Sequence, residues 1–116
     1  MILRHIAGAS WKGHVIETLV RAAPPRTRAS FYRTAAGAEI DLILELPGDC
    51  LWAIEVKRGL APRLEKGFHI ALGDLKPNRA FIVYSGVDRY PKGEGIEAIG
   101  LRGLAEELQF LVSGRE

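Results

Sequence analysis

Two neighbouring strand-like segments, AEIDLILEL (38–46) and LWAIEVK (51–57), carry charged residues where a buried strand has no room for them. LWAIEVK is apolar on both faces until its end, the pattern of a central strand covered on two sides. Pro47-Gly48-Asp49 between the segments is a turn signal, so the two should fold back on each other as an antiparallel hairpin. Alternation in the first segment predicts Ile40, Leu42, Leu44 and Leu46 on one side. Asp41, Glu55 and Lys57 interrupt this pattern. A buried charge without a partner is costly, so these three groups are expected to answer one another.

Register decides whether they meet. Pairing Asp41 with Glu55 and Ile43 with Ala53 also pairs Ile40 with Val56, Leu42 with Ile54 and Leu44 with Trp52, around a loop of residues 46–50. A slip of one residue would send the two apolar sets to opposite sides of the sheet, at the cost of the whole buried face. The first register is therefore the expected one. Glu55 and Lys57 then share a face about 7 Å apart along the strand, with Asp41 opposite.

Two carboxylates and an ammonium on one side of a sheet suit a hard cation. Mg²⁺ (or Mn²⁺) binds through one or two carboxylates and waters, and the Val56 carbonyl is a further candidate ligand beside Asp41 and Glu55. Such an ion activates water and offsets charge on a phosphoryl group, while Lys57 would orient the water or stabilise the transition state. The same charges also suit a structural ion pair between Lys57 and one carboxylate. Geometry at this level leaves both readings open.

The remaining pattern fits one α/β layer structure. Trp11, Val15, Leu19, Ala22 and Ala23 recur at helical spacing after Ser10 and before Pro24-Pro25, predicting a helix over 11–23. Ser30–Arg33 reads as a short strand, Leu64 to Leu75 as a second helical pattern stopped by Pro77, and Ala80–Ser85 as a buried strand. GVDRYPKGEG (86–95) reads as a loop, Ile96–Leu101 as the last strand, and Leu101 to Val112 as a final helix. The expected order is α-β-β-β-α-β-β-α around one mixed sheet.

With 116 residues, 47% hydrophobic and 26% charged, the chain has material for one core and is too apolar to be a disordered tail. No apolar run reaches the roughly 18 residues of a membrane helix, and no secretory leader is evident. Cys50 is the single cysteine and His5, His14 and His69 are scattered, which argues against disulfides and Cys/His zinc sites and for a reducing, cytoplasmic setting. A net charge of +2 does not by itself mark a nucleic-acid binder.

Asp41, thirteen residues, then Glu55-Val56-Lys57 resembles the D…(D/E)xK signature of the restriction-endonuclease-like PD-(D/E)xK nuclease superfamily. SWKGHVIETLV, FYRTAAGAEIDLILE, AIEVKRGLAP and KGFHIALGDLKP resemble, over roughly residues 8–105, the uncharacterised C-terminal domain of a large family of prokaryotic AAA-type ATPases. The resemblance implies an α-β-β-β-α-β core, a central mixed sheet flanked by helices, and metal-dependent hydrolysis of DNA phosphodiesters. It puts the superfamily's two acids on Asp41 and Glu55 and its lysine on Lys57. An accessory glutamate from the first helix falls on Glu17, which the helical wheel alone would read as a surface ion pair with Arg21. No GxxxxGK[ST] phosphate loop is present, so the ATPase module is expected to be an N-terminal part of a longer protein, with residues 1–116 its C-terminal nuclease-like domain. Superfamily nucleases often pair to cut two strands, which makes a homodimer an expectation too. An alternative is a non-catalytic nucleic-acid or partner-binding module that regulates the attached ATPase.

Arg26, Arg28, Arg33 and Arg58 are the candidates for phosphate contacts, against a plain reading as solvated loop residues. Trp52 is expected in the core and Trp11 in the core or at an interface with the absent module.

Overall fold

The computed structural model describes residues 10–113. Helix α1 (Trp11–Ala22) starts where the Ser10 side chain accepts a hydrogen bond from the Gly13 N–H at 2.9 Å, and ends before Pro24. Strands β1 (Arg28–Arg33), β2 (Glu39–Leu46) and β3 (Cys50–Val56) follow, then α2 (Lys66–Leu75), β4 (Arg79–Tyr84), β5 (Arg89–Gly93), β6 (Ile96–Gly100) and α3 (Leu101–Ser113). The six strands form one mixed sheet in the order β1-β2-β3-β4-β6-β5. β1, β2 and β3 are antiparallel neighbours, β3, β4 and β6 run parallel, and β5 closes the far edge antiparallel to β6. The expected α-β-β-β-α-β order and the mixed sheet flanked by helices are both present.

The sheet is covered on two sides. On one, Leu42, Leu44, Leu46, Trp52, Ile54, Val56, Phe81 and Val83 pack against α1 and α3 through Val15, Leu19, Leu104 and Leu108. On the other, Ile40, Ile43, Ala53, Ala80 and Ile82 pack against Phe68 and Ala71 of α2. Each fully buried large side chain contributes about 1.5–3 kcal/mol of transfer free energy, so neither layer is incidental. Trp52 lies in the core, as its segment predicts, and Trp11 packs half-buried against its edge. Among the described residues no helix is long and apolar enough to cross a membrane.

The hairpin register is the expected one: Leu42 pairs with Ile54, Ile43 with Ala53 and Leu44 with Trp52. Pairing continues through Leu46 and Cys50, so the turn is only residues 47–49, with Gly48 and Asp49 both at positive φ. Three expectations need correction. Ile40 does not share a face with Leu42, Leu44 and Leu46; it belongs to the α2 side. Nor do the expected pairs Ile40–Val56 and Asp41–Glu55 form in the ladder, because β2–β3 pairing stops at Leu42 and Ile54. The cause is a bulge. β1 pairs Ser30 with Ile43 and Tyr32 with Ile40, so Asp41 and Leu42 together oppose the single residue Phe31, and the side-chain alternation changes phase there. Finally, part of the segment read as a loop, 89–93, is edge strand β5, which accommodates Pro91 because an edge position need not donate on its outer side.

Candidate functional site

The bulge falls where β2 and β3 part, and it puts Asp41 at the parting point. Side chains take over from the backbone ladder there: the Asp41 N–H donates to Glu55 Oε1 at 3.2 Å, and the Val56 N–H donates to Asp41 Oδ2 at 2.9 Å. The Glu55 carboxyl is thereby held by the Asp41 backbone, and the Asp41 carboxylate by the backbone of Val56, the residue after Glu55. Their side chains are only 8% and 7% exposed, and Glu55 is the one charged residue that is buried among the described residues. Burial, and next the Asp41 charge, pushes the Glu55 carboxyl up to about 8, against a lowering pull from the Asp41 backbone hydrogen bond and from Lys57.

The carboxylates open into a cavity of about 230 Å³ lined by Lys12, Gly37, Glu39, Asp41, Glu55, Lys57, Glu65, Gly67 and Phe68. It lies at the C-terminal end of β3, which runs parallel to β4, the end of an open α/β sheet where ligand sites gather. Lys57, just beyond β3, donates its backbone N–H to the Val83 carbonyl at 2.9 Å, which fixes its position. Its Nζ stands 4.0 Å from Glu55 Oε2 and 3.3 Å from Glu65 Oε2, leaning toward the exposed partner. Lys12 reaches in from α1, its Nζ 2.9 Å from Asp41 Oδ1.

Of the residues singled out from sequence, Asp41, Glu55 and Lys57 come together in one cavity, and Val56 joins them through its amide. Glu17 does not line it. Its Oε2 takes the Arg21 guanidinium at 3.1 Å, the i,i+4 surface pair that the helical wheel predicts. The four arginines are dispersed. Arg26 sits at positive φ between α1 and β1, and Arg28 and Arg33 mark the two ends of β1, pairing with Glu45 at 3.5 Å and Glu39 at 3.9 Å. Arg58, next to Lys57, stacks over Trp11 with its guanidinium 5.7 Å from the ring centre. Lys12, Glu39 and Glu65 escaped the sequence reading because each looks like an ordinary exposed charge. For Lys12 one signal was available: a cation in a first helical turn that holds no acid works against the helix dipole, and so asks for an anion elsewhere.

The donor set is compatible with a hard divalent ion. Asp41 and Glu55 offer carboxylate oxygens in a polar cavity, and Mg²⁺ needs no more than one or two carboxylates from the protein. No group of three or more His, Cys, Asp or Glu side chains arranged to hold a metal occurs among the described residues. A site here would therefore be open, with most positions left to water or substrate.

Comparison with known proteins adds kinship. Uncharacterized protein Rv2008c of Mycobacterium tuberculosis and Uncharacterized protein Mb2031c of Mycobacterium bovis are each 37% identical to the chain over 92 residues. That stretch is 79% of this chain and 20% of each relative, so the chain spans about a fifth of the length of the curated relatives it matches. No solved structure matches. The model of the family described as Domain of unknown function (DUF4143) matches residues 7–104, which takes in the hairpin, the cavity and all three helices in whole or in part, and the chain belongs to that family.

Proposed function

We propose that the chain is a PD-(D/E)xK-type, divalent-metal-dependent phosphodiesterase domain acting on DNA. The observation that carries this reading is the convergence of Asp41, Glu55 and Lys57 on one polar cavity at the point where β2 and β3 part. Asp41 and Glu55 would hold Mg²⁺ or Mn²⁺, with the Val56 carbonyl as a further ligand. The ion would supply Lewis acidity toward a phosphoryl group and help to activate water. Lys57 has its own part: an ammonium beside the cavity, on a backbone anchored to β4, stabilises the negative charge that develops as the phosphodiester is attacked. Burial holds the Glu55 carboxyl protonated up to a pH of about 8, and as a ligand it would bind the ion in its ionised form. Glu17 stays outside this mechanism, because it faces Arg21. Arg58, next to Lys57, and Arg33, whose partner Glu39 lines the cavity, are the arginines best placed to meet a DNA phosphate beside the site, with Arg26 and Arg28 farther from it.

An ATPase module in the same polypeptide is part of the proposal; the relatives, of which the matched stretch is only 20%, leave room for one. A second reading, a non-catalytic binding module, is favoured by the Lys12–Asp41 ion pair, which satisfies a proposed metal ligand internally. Nicking of supercoiled plasmid in the presence of Mn²⁺ separates the two. The purified chain should nick, and Asp41→Asn and Lys57→Ala should each lower the rate at least about 100-fold. Absence of nicking by the natural sequence, or equal nicking by all three proteins, sinks the phosphodiesterase reading.

A further inference from the structure

We infer that Lys12 is a built-in counter-ion that competes with a divalent cation for Asp41, so that ion uptake requires the lysine to let go. The inference rests on the proposed metal site and adds a form of regulation to it. Each Asp41 oxygen already has a partner. Oδ2 accepts from the Val56 N–H at 2.9 Å, a neutral donor fixed in the sheet. Oδ1 takes the Lys12 ammonium at 2.9 Å, a full positive charge on a flexible stem. An arriving cation therefore meets a like charge at the carboxylate it needs. Of the two partners only Lys12 can leave, since its side chain is 46% exposed while Asp41 is 8% exposed and clasped by β3.

Lys12 is also placed where a helix would not otherwise keep a cation. It occupies the first turn of α1, which contains no acidic residue, and the unpaired N–H groups there repel positive charge. Asp41 is what compensates that placement. Lys57 does not duplicate the role: at 4.0 Å from Glu55 it is beyond a close contact, and Glu65 draws it outward. Release of Lys12 also cuts a charged tie between α1 and β2, so ion occupancy is coupled to how firmly the start of α1 is held to the sheet.

The test is Mn²⁺ binding itself, followed by the electron paramagnetic resonance of free Mn²⁺, on the natural chain, Lys12→Met and Lys12→Arg. Removing a unit charge a few ångströms from the ion should tighten Mn²⁺ binding at least about tenfold in Lys12→Met, even with substantial solvent screening. Lys12→Arg keeps the charge and should stay near the natural affinity. The Mn²⁺-induced rise in melting temperature should be larger in Lys12→Met for the same reason. Lys12→Gln replaces the methionine variant if the latter does not fold. Unchanged or weaker binding in the uncharged variant overturns the role of Lys12 and leaves the metal site standing. Absence of Mn²⁺ uptake by both the natural chain and the folded uncharged variant overturns the metal site and this inference together.

Discussion

Burial holds the Glu55 carboxyl protonated up to a pH of about 8, and the Asp41 charge acts in the same direction. An unfolded glutamate ionises near its ordinary value of 4.5. Between those two values the folded chain binds a proton that the unfolded chain has lost, so the contribution of Glu55 to stability falls as pH rises. It is complete below about 4.5 and lost by the time pH has passed about 8. Glu55→Gln has no such proton. With chelator present, the stability of the natural chain relative to Glu55→Gln should therefore decline across this window, by on the order of a few kcal/mol, and level off on either side. Denaturant titrations at several pH values measure it, and a flat difference would mean that Glu55 ionises normally. The residue itself was legible in the sequence, because a charge inside LWAIEVK has to be explained. What was not legible is its clasp with Asp41, since hydrogen bonds from the N–H of Asp41 and of Val56 leave no mark on residue type.

At the scale of elements, the hairpin register was legible and the bulge was not. A slip of register would bury the wrong face along the whole hairpin, so hydrophobic alternation specifies it strongly. The bulge shifts phase at Asp41 and Leu42 alone, and the string AEIDLILEL alternates through it without interruption. β5 was missed for a different reason: Pro91 and the surrounding glycines are turn residues everywhere except on an edge. The helix α2 approaches β2 closely enough to wall the cavity, and Gly67 makes this approach possible. A Cβ there would stand 2.4 Å from the Gly37 carbonyl oxygen, in the β1–β2 connection. Alanine has a helix-propensity advantage of about 1 kcal/mol over glycine, but a clash with backbone forces α2 or the connection to move, at about 1–3 kcal/mol. Gly67→Ala should thus lower the melting temperature by several degrees and loosen the cavity. Gly73, on the same helix, has nothing within 4 Å of the place a Cβ would take and serves as the control: Gly73→Ala should stabilise slightly. If both alanines act alike, the close approach at Gly67 is not what positions α2.

The molecule as a whole works as a single sheet with a layer on each face, and the cavity draws on both: Lys12 comes from α1, Gly67 and Phe68 from α2. Charges bind the far end in the same way. Arg79 of β4 pairs with Glu97 of β6 at 3.5 Å and with Glu107 of α3, Arg89 of β5 reaches the same two acids, and Arg79 also stacks over Trp52 and Phe81. Two layers that share one sheet cannot melt separately, because every strand that loses its cover on one face exposes residues on both. This makes α3, which contributes no residue to the cavity lining, a test of coupling. Leu104 is fully buried among Val15, Leu19 and the strands, and Leu104→Ala should cost about 2–5 kcal/mol. The loss should appear at one midpoint whether unfolding is followed by far-ultraviolet circular dichroism or by tryptophan fluorescence, which reports Trp52 on the α1–α3 face and Trp11 at its edge. The same shift should be seen in the near-ultraviolet signal of Tyr84 and Tyr90, which meet edge-to-face at 5.8 Å with Tyr84 buried in the α2-side core. Separate midpoints would mean that the layers fold independently. Lys12 could then be released from Asp41 by loosening α1 alone, whereas a single midpoint leaves local movement of the lysine side chain as the way to open the site.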